Sequence, residues 1–256
     1  MTELIDTHTH IYLPEFDSDR DEVIARAVSS GVKILLMPNI DKDSVAPMLA
    51  VEKKYPGVCM IMFGLHPTSV KSDFEIHLED IFRISPNYDF KAVGEIGIDL
   101  YWDKTFIREQ IIAFKKQVKF ALEKELPVVI HARESFREIF EALEDFKGTG
   151  LKGVFHAFTG TMSDAEKAVS MGFMLGIGGI VTFKNSGLDK IVSGIGIENI
   201  ILETDSPYLA PVPYRGKRNE SSYLCLINRK VAEISGLTPE ETASVTYRNS
   251  VRLFGL

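Results

Sequence analysis

Cysteine is scarce in this 256-residue chain. Cys59 and Cys225 are too few for a disulfide framework, and no Cys-x-x-Cys pair of the zinc-finger or thioredoxin kind is present. That usage points to a reducing compartment. No apolar run approaches the roughly 18 residues of a membrane span, and the opening Met-Thr-Glu-Leu-Ile-Asp has neither the basic nor the apolar region of a signal peptide. A cytoplasmic protein without membrane contact is expected. Charge of one sign is nowhere concentrated: 29 Lys and Arg stand against 36 Asp and Glu, a net of −7, with no like-charge block. This excludes a broad cationic face for duplex DNA. Ser206 lies in no Gly-x-Ser-x-Gly elbow, which argues against a serine hydrolase. Gly176-Ile-Gly178-Gly179 lacks the third glycine of a dinucleotide fingerprint and reads as a tight turn. No Pro/Gly/Ser-rich linker or repeat of fixed period divides the chain, so residues 1–256 read as a single domain with no obligate protein partner.

What is present is an ordinary globular composition, 45% hydrophobic and 25% charged, with enough length for one large core. Eight short apolar runs recur: Leu4 to Asp6, Lys33 to Met37, Val58 to Phe63, Lys91 to Gly94, Pro127 to Ile130, Lys152 to Phe155, Phe173 to Ile177 and Asn199 to Leu202. Stretches of helical spacing separate them. In the clearest, Phe106 to Leu126, the residues Ile107, Ile111, Phe114, Val118 and Leu122 form one oily face opposite Lys115, Lys116, Lys119 and Glu123. Ser163 with Glu166, and Thr238-Pro239-Glu240-Glu241, fit helix-capping boxes. Continuous apolar strands alternating with helices predict a parallel sheet covered by helices. Eight such units suggest an α/β fold of the closed (β/α)8 TIM-barrel type, with a doubly wound open sheet as the alternative. The longest irregular stretch, Ser206 to Glu220, follows the eighth run, and loops of that length are commonly functional.

The ionisable residues fall where such a barrel would gather them. His8 and His10 follow the first run, Glu95 the fourth, His131 the fifth, His156 the sixth and Asp205 the eighth. The C-terminal strand ends of a barrel surround one mouth, so these residues would meet there. Taken singly, each could be a strand-end polar group satisfied by backbone; together they suit two divalent ions sharing a bridging carboxylate. Mixed nitrogen and oxygen donors are compatible with zinc, manganese or nickel, and less so with magnesium. Two ions bring four positive charges and Glu95 with Asp205 remove two, leaving a cationic pocket inside an acidic protein. Hydrolysis by an activated water is the natural reaction class.

Seven segments carry a resemblance to a known family: Asp6-Thr-His8-Thr-His10, Gly64-Leu-His66-Pro67, Gly94-Glu95-Ile-Gly97-Ile-Asp99, Tyr101-Trp102-Asp103, His131-Ala-Arg133, His156-Ala-Phe-Thr-Gly160 and Glu203-Thr-Asp205-Ser-Pro207-Tyr208-Leu209. The chain resembles, over essentially its whole length, the TatD-type metal-dependent hydrolases or deoxyribonucleases of the amidohydrolase-like barrels. The resemblance implies that His8, His10 and Asp205 ligate one metal, that His131 and His156 ligate the other, and that Glu95 bridges them. It implies too that Asp205 accepts the proton of the attacking water, and that DNA phosphodiesters are cleaved with magnesium or manganese. Thr68 stands where many members carry histidine, and Ser221 where a proline is common. Neither position touches the six implied ligands. Glu95, in place of a carbamylated lysine, leans away from the phosphotriesterase and dihydroorotase branches.

Substrate contacts are read from the remaining residues. His66 closes the third run and could face the mouth or serve with Pro67 structurally. Arg133 could clamp a phosphate through its planar guanidinium or form an ion pair at the rim. Trp102 could stack a nucleobase or pack beneath the rim. Arg215, with Lys217 and Arg218, could bind phosphate on the loop after the eighth run or lie in a solvated turn. His77 sits on a polar helix and reads as solvated, and Cys59 as an inert core residue. The leading expectation is a two-metal deoxyribonuclease acting on single-stranded or frayed ends. The alternatives are a binuclear amidohydrolase, lactonase or phosphoesterase acting on a small molecule, and a non-catalytic barrel whose metals serve stability or which binds a partner.

Overall fold

A computed structural model describes residues 3–256. Its strands are β1 (Leu4–Asp6), β2 (Val32–Pro38), β3 (Cys59–Met62), β4 (Val93–Asp99), β5 (Val128–Arg133), β6 (Gly153–Phe155), β7 (Phe173–Ile177) and β8 (Ile200–Leu202). The helices are α1 (Arg20–Ser29), α2 (Val45–Lys54), α3 (Phe74–Ile84), α4 (Ile107–Glu123), α5 (Phe136–Leu143), α6 (Met162–Ser170), α7 (Leu188–Ile195), α8 (Leu224–Ser235) and α9 (Pro239–Phe254). All ladders are parallel, β1 to β3 forming one arc and β4 to β8 the other. Backbone hydrogen bonds join the arcs at both seams. Gly94 N donates to Phe63 O at 3.0 Å on one side; on the other, Thr7 N donates to Leu202 O at 3.2 Å and Asp205 N to His8 O at 2.9 Å. The result is the expected (β/α)8 barrel.

Side-chain alternation splits the apolar residues between two layers. Leu36, Met62, Ala92, Val129, Val154, Met174 and Ile201 fill the barrel interior, and Leu253 and Phe254 at the end of α9 close it from below. Residues of opposite parity, such as Leu35, Ile61, Val93, Ile130, Phe155 and Leu175, pack outward against the helices. The lower barrel is thus a filled core, and only its upper end is free for chemistry.

The strands fall on the expected runs, but β4 and β5 continue past them. β4 goes on beyond Gly94 to Asp99 with all seven residues buried, and β5 reaches Arg133. Polar Glu95 and His131 looked like terminators because a polar residue usually ends a buried run; here they face the barrel mouth, where polarity is accommodated. Register slips by one between Gly94 and Ile96. This bulge inserts Glu95 as an extra residue, so Glu95 turns inward while Ile96 and Ile98 return to the outer layer. Gly97, at φ +149°, lies so close to β5 that a Cβ would sit 2.0 Å from His131 O, which only glycine permits.

Helix α4 starts and stops within three residues of the expected stretch. Its buried face is rotated from the apolar stripe and includes Gln110 and Gln117. Both clamp backbone near the mouth: Gln117 Oε1 accepts from Leu65 N at 2.7 Å and Gln110 Oε1 from Asp99 N at 2.8 Å. The Thr238–Glu241 capping box forms as expected. At α6 the box is Thr161 with Asp164, not Ser163 with Glu166, because Ser163 already lies inside the first turn.

The Ser206 to Glu220 stretch is tied to α1 by two bidentate pairs. Arg26 Nε and Nη2 donate to Glu220 at 3.0 and 2.7 Å, and Arg218 Nη1 and Nη2 donate to Asp19 at 2.8 and 2.6 Å. Burial pushes the Glu220 carboxyl up, but Arg26 and Ser222 outweigh it and hold it below its ordinary 4.5. The hydrogen bond from Arg218 holds Asp19 below 3.8. Depressed carboxylates add stability in full above their unfolded values and lose it as pH falls through the lower folded ones. Arg26→Met is therefore expected to lower Tm at pH 7 by several degrees, for a loss of about 1–3 kcal/mol. Calorimetry at pH 3 should show a much smaller difference; an equal one at both pH values refutes the ion-pair account. Among the described residues no helix is long and apolar enough to cross a membrane.

Candidate metal centre

Five histidines and two carboxylates from β1, β3, β4, β5, β6 and β8, or the segments just after them, meet at the upper end of the barrel. Glu95 lies at the middle, and its two oxygens face different partners. Oε2 is 3.3 Å from His8 Nε2 and 3.6 Å from His10 Nε2. Oε1 is 2.9 Å from His131 Nδ1, 3.2 Å from His156 Nε2 and 3.2 Å from His66 Nε2. Asp205 Oδ1 approaches His10 Nε2 at 3.5 Å and His8 Nε2 at 3.9 Å. All six residues expected to be central are therefore brought together, and His66 joins them. His77 stands apart on α3, paired with Asp73 at 3.5 Å.

Local structure explains each placement. His8 and His10 share a face of the extended segment after β1, which hydrogen bonds across the seam, including His10 N to Ser206 O at 2.7 Å, hold against β8. Asp6 fastens the same seam, accepting from Thr204 N at 2.9 Å and Thr204 Oγ1 at 2.6 Å. Complete burial raises the Asp6 carboxyl to about 7, although hydrogen bonds from Ser221, Thr204 and His8 oppose the rise. Asp205 has φ +55°, a left-handed conformation that Asp and Asn tolerate better than other non-glycine residues; it turns the carboxyl into the mouth.

The far sides of two rings carry carboxylates that the sequence reading did not single out. His131 Nε2 lies 2.9 Å from Asp99 Oδ2, and His156 Nδ1 lies 3.0 Å from Glu203 Oε1. Both acids are buried. Gly176 makes the room: a Cβ there would lie 2.4 Å from Glu203 Oε2, so this glycine serves side-chain access rather than a turn or a phosphate cradle. A signal existed in Glu203, directly after the apolar run of β8, since a buried glutamate requires a partner.

Electrostatics follow. Burial raises the Glu95 carboxyl, but the charges of His66, His156 and His8 overcome it and hold it well below 4.5. Asp205 behaves alike: burial raises it, while His10, His156 and His8 bring it below 3.8. Burial disfavours the charged form of His156, yet Glu203 and Glu95 raise its pKa well above 6.5. His131 is raised by Asp99 and Glu95 against the same desolvation. His8 is lowered, by burial first and then by His156, whose ring stacks on it at 3.6 Å.

Each of His131 and His156 lies between two carboxylates, so its inner nitrogen must present a positive charge to Glu95, as a proton or as a metal ion in the proton's place. The donor sets His8–His156–Asp205, His8–His10–Glu95 and His66–Glu95–His131 each bring three ligand-type atoms within 4.8 Å of one another. Imidazole and carboxylate in that mixture fit divalent cations of borderline character, and carboxylates behind the rings are the usual support of histidines that hold them.

The rim residues sort differently. Arg133 lays its guanidinium 3.8 Å from the Tyr101 ring centroid and 5.3 Å from that of Trp102, a cation–π stack in place of the alternative ion pair. Trp102 is 70% exposed, so it does not pack beneath the rim. Arg215 lies over the Phe183 ring at 4.4 Å. Arg218 is committed to Asp19, so the three-residue cationic cluster does not act as one.

Comparison with known proteins supplies the family and the fold. The family model described as TatD related DNase matches residues 5–255. The chain is 34% identical over 252 residues, 98% of each sequence, to YabD of Bacillus subtilis, an uncharacterized metal-dependent hydrolase. The crystal structure of YjjV, a TatD homologue from Escherichia coli K12, superposes with a TM-score of 0.93 at 26% identity, covering 100% of this chain and 99% of that one. A TatD-family hydrolase from Entamoeba histolytica shares the fold with a TM-score of 0.87 at 21% identity, over 99% of this chain and 98% of that one. A barrel whose mouth gathers imidazoles around a central carboxylate, matched end to end by these relatives, belongs to the TatD family of metal-dependent hydrolases.

Proposed function

We propose that this chain hydrolyses phosphodiester bonds of DNA at single-stranded or frayed ends, using two divalent cations held by His8, His10, Glu95, His131, His156 and Asp205. The observation that carries the reading is the division of labour at Glu95, with two imidazoles on one oxygen and three on the other. With His8 and His10 on one oxygen and His131 and His156 on the other, this supports a carboxylate that would be shared between two cation sites. Magnesium or manganese would serve in activity, with zinc or nickel also suited to the donors. Such cations, when bound, polarise a phosphoryl oxygen and make a water acidic near neutral pH.

The chain's own groups do the rest. Asp205, held ionised by its histidines, takes the proton of the attacking water. Arg133, kept in place by Tyr101 and Trp102, engages the phosphate, and His66 contacts it from the mouth. The exposed Trp102 indole offers a surface for a terminal base, a contact typically worth about 1–3 kcal/mol; Arg215 would meet the strand further out. The absence of like-charge blocks in a chain of net charge −7 favours a pocket for an end over a groove along a duplex.

End-labelled single-stranded, frayed and blunt duplex DNA, incubated with manganese or magnesium beside phosphomonoesters, lactones and cyclic amides, tests the substrate. Stepwise loss of terminal nucleotides from free strands is expected. Turnover of a non-nucleotide alone would replace this reading with a small-molecule hydrolase. The supporting carboxylates give a second expectation: Asp99→Asn and Glu203→Gln should each weaken cation affinity or turnover by about 10–100-fold, read by calorimetric cation titration and initial rates. Wild-type affinity and rate in both variants would remove their assigned role.

A further inference from the structure

His66 differs from the other rings around Glu95 in what faces its far nitrogen. The backbone N–H of Thr68 donates to His66 Nδ1 at 3.1 Å, with Thr68 Oγ1 2.7 Å from the same atom. An amide N–H cannot accept a hydrogen bond, so Nδ1 presents its lone pair there. In a neutral imidazole the proton then resides on Nε2. His131 has the opposite surroundings: its far nitrogen is hydrogen-bonded to Asp99 Oδ2 at 2.9 Å, which holds a proton there and frees the inner lone pair for a cation. At His156 the Glu203 carboxylate lies 3.0 Å from the far nitrogen, off the hydrogen-bond direction, and favours a proton on that side by its charge. Three rings thus approach Glu95 Oε1, two with nitrogens free to become ligands and one with an N–H.

The polarity of His66 is built into the chain. His66 caps the short turn Pro67–Ser69, and that turn delivers the Thr68 amide to the ring. Gln117 holds the preceding residue, bonding Leu65 N at 2.7 Å and Leu65 O at 3.2 Å. The side chain is 12% exposed where that of His8 is fully enclosed, so part of the ring borders the open mouth.

We infer that His66 is a hydrogen-bond donor and not a cation ligand: its Nε2–H, which faces Glu95 Oε1 at 3.2 Å, is shared with a non-bridging oxygen of the substrate phosphate when one enters the mouth, and the Thr68 amide fixes that polarity. The cluster His66–Glu95–His131 is then not a third cation site, because a protonated nitrogen has no lone pair to give. The phosphate half of this inference rests on the phosphodiester reading above; the donor half does not.

The test uses the whole protein loaded with zinc, a diamagnetic ion, and labelled with ¹⁵N-histidine. Long-range ¹H–¹⁵N correlation should show His131 and His66 both with unprotonated Nδ1 and protonated Nε2, the His66 ring being the one whose signals disappear in His66→Gln. Zinc titration of the metal-free protein should give the same number of sites and affinity within about threefold for wild type and His66→Gln. On a chromogenic phosphodiester, His66→Phe should lower kcat by about 10²–10³-fold, the cost of losing one charge-stabilising donor. KM should change little, and His66→Gln, which keeps an N–H, should recover at least tenfold. An Nδ1-protonated ring, or a site lost or weakened tenfold in His66→Gln, overturns the assignment by making His66 a ligand. Unchanged kcat in His66→Phe overturns the phosphate contact. If DNA and chromogenic esters are not cleaved at all while the spectrum and titration come out as expected, the donor stands and the phosphodiester reading falls.

Discussion

Glu95→Gln is expected to reduce metal-dependent turnover by at least about a thousandfold, or about 4 kcal/mol of transition-state stabilisation, while the barrel stays folded. Glutamine keeps the volume but offers one oxygen and one NH2 group. The NH2 half would face either His8 and His10 or the set of His66, His131 and His156, and on that side no carboxylate oxygen would remain for a cation. Loss therefore comes from unlinking the two halves of the centre. Single-turnover rates at saturating manganese, with circular dichroism as the control for folding, decide the matter. A folded variant with turnover within tenfold of wild type would mean that Glu95 is a structural acid.

Asp205→Asn removes the proton acceptor while keeping an amide oxygen that can still face a cation. At φ +55° asparagine fits as readily as aspartate, whereas alanine would add strain and confuse the result. The substitution leaves the chain path across the seam in place, including the bond from Asp205 N to His8 O at 2.9 Å, and removes a carboxylate that lies 3.5 Å from His10. A loss of about 10²–10⁴ in kcat is expected, the usual contribution of a positioned general base, with KM changed much less because Arg133 and the rim aromatics are untouched. Loss confined to KM would move Asp205 from proton transfer to substrate binding.

How much of this was legible beforehand depended on whether the signal was local. Eight apolar runs separated by amphipathic stretches suffice for a barrel, because each strand buries both faces and each helix only one. The bulge at Glu95 could not be read, since an inserted residue shows only against its neighbour's register. Strict alternation would have aimed Glu95 away from the inward-facing Ala92 and Gly94 and thus out of the mouth. Asp99 and Glu203 escaped notice because their importance lies in what they stand behind, namely rings from β5 and just after β6 that are distant in sequence. Gln110 and Gln117 carry no apolar signal in α4, yet they fasten backbone on either side of the site. The motif arrangement placed Arg133, Trp102 and Arg215 at the rim, but not the stacking that orients them.

The added acids also change the local charge. Two divalent ions against Glu95 and Asp205 alone would leave a cationic pocket; with Asp99 and Glu203 counted, four positive charges meet four negative ones. On the proposed function, attraction for a phosphate would then come from direct contact with the cations and from Arg133, not from a surplus of positive field. Affinity for DNA should accordingly depend on divalent cation more steeply than on the basic residues of the 206–220 loop.

The most direct measurement is anomalous diffraction from crystals of the manganese-loaded protein. Two peaks about 3.5–4 Å apart are expected, one beside each oxygen of Glu95, with His8, His10 and Asp205 around the first and His131 and His156 around the second. A single peak, or two that leave Glu95 in contact with neither or only one, would contradict the shared-carboxylate centre from which the hydrolytic account is built.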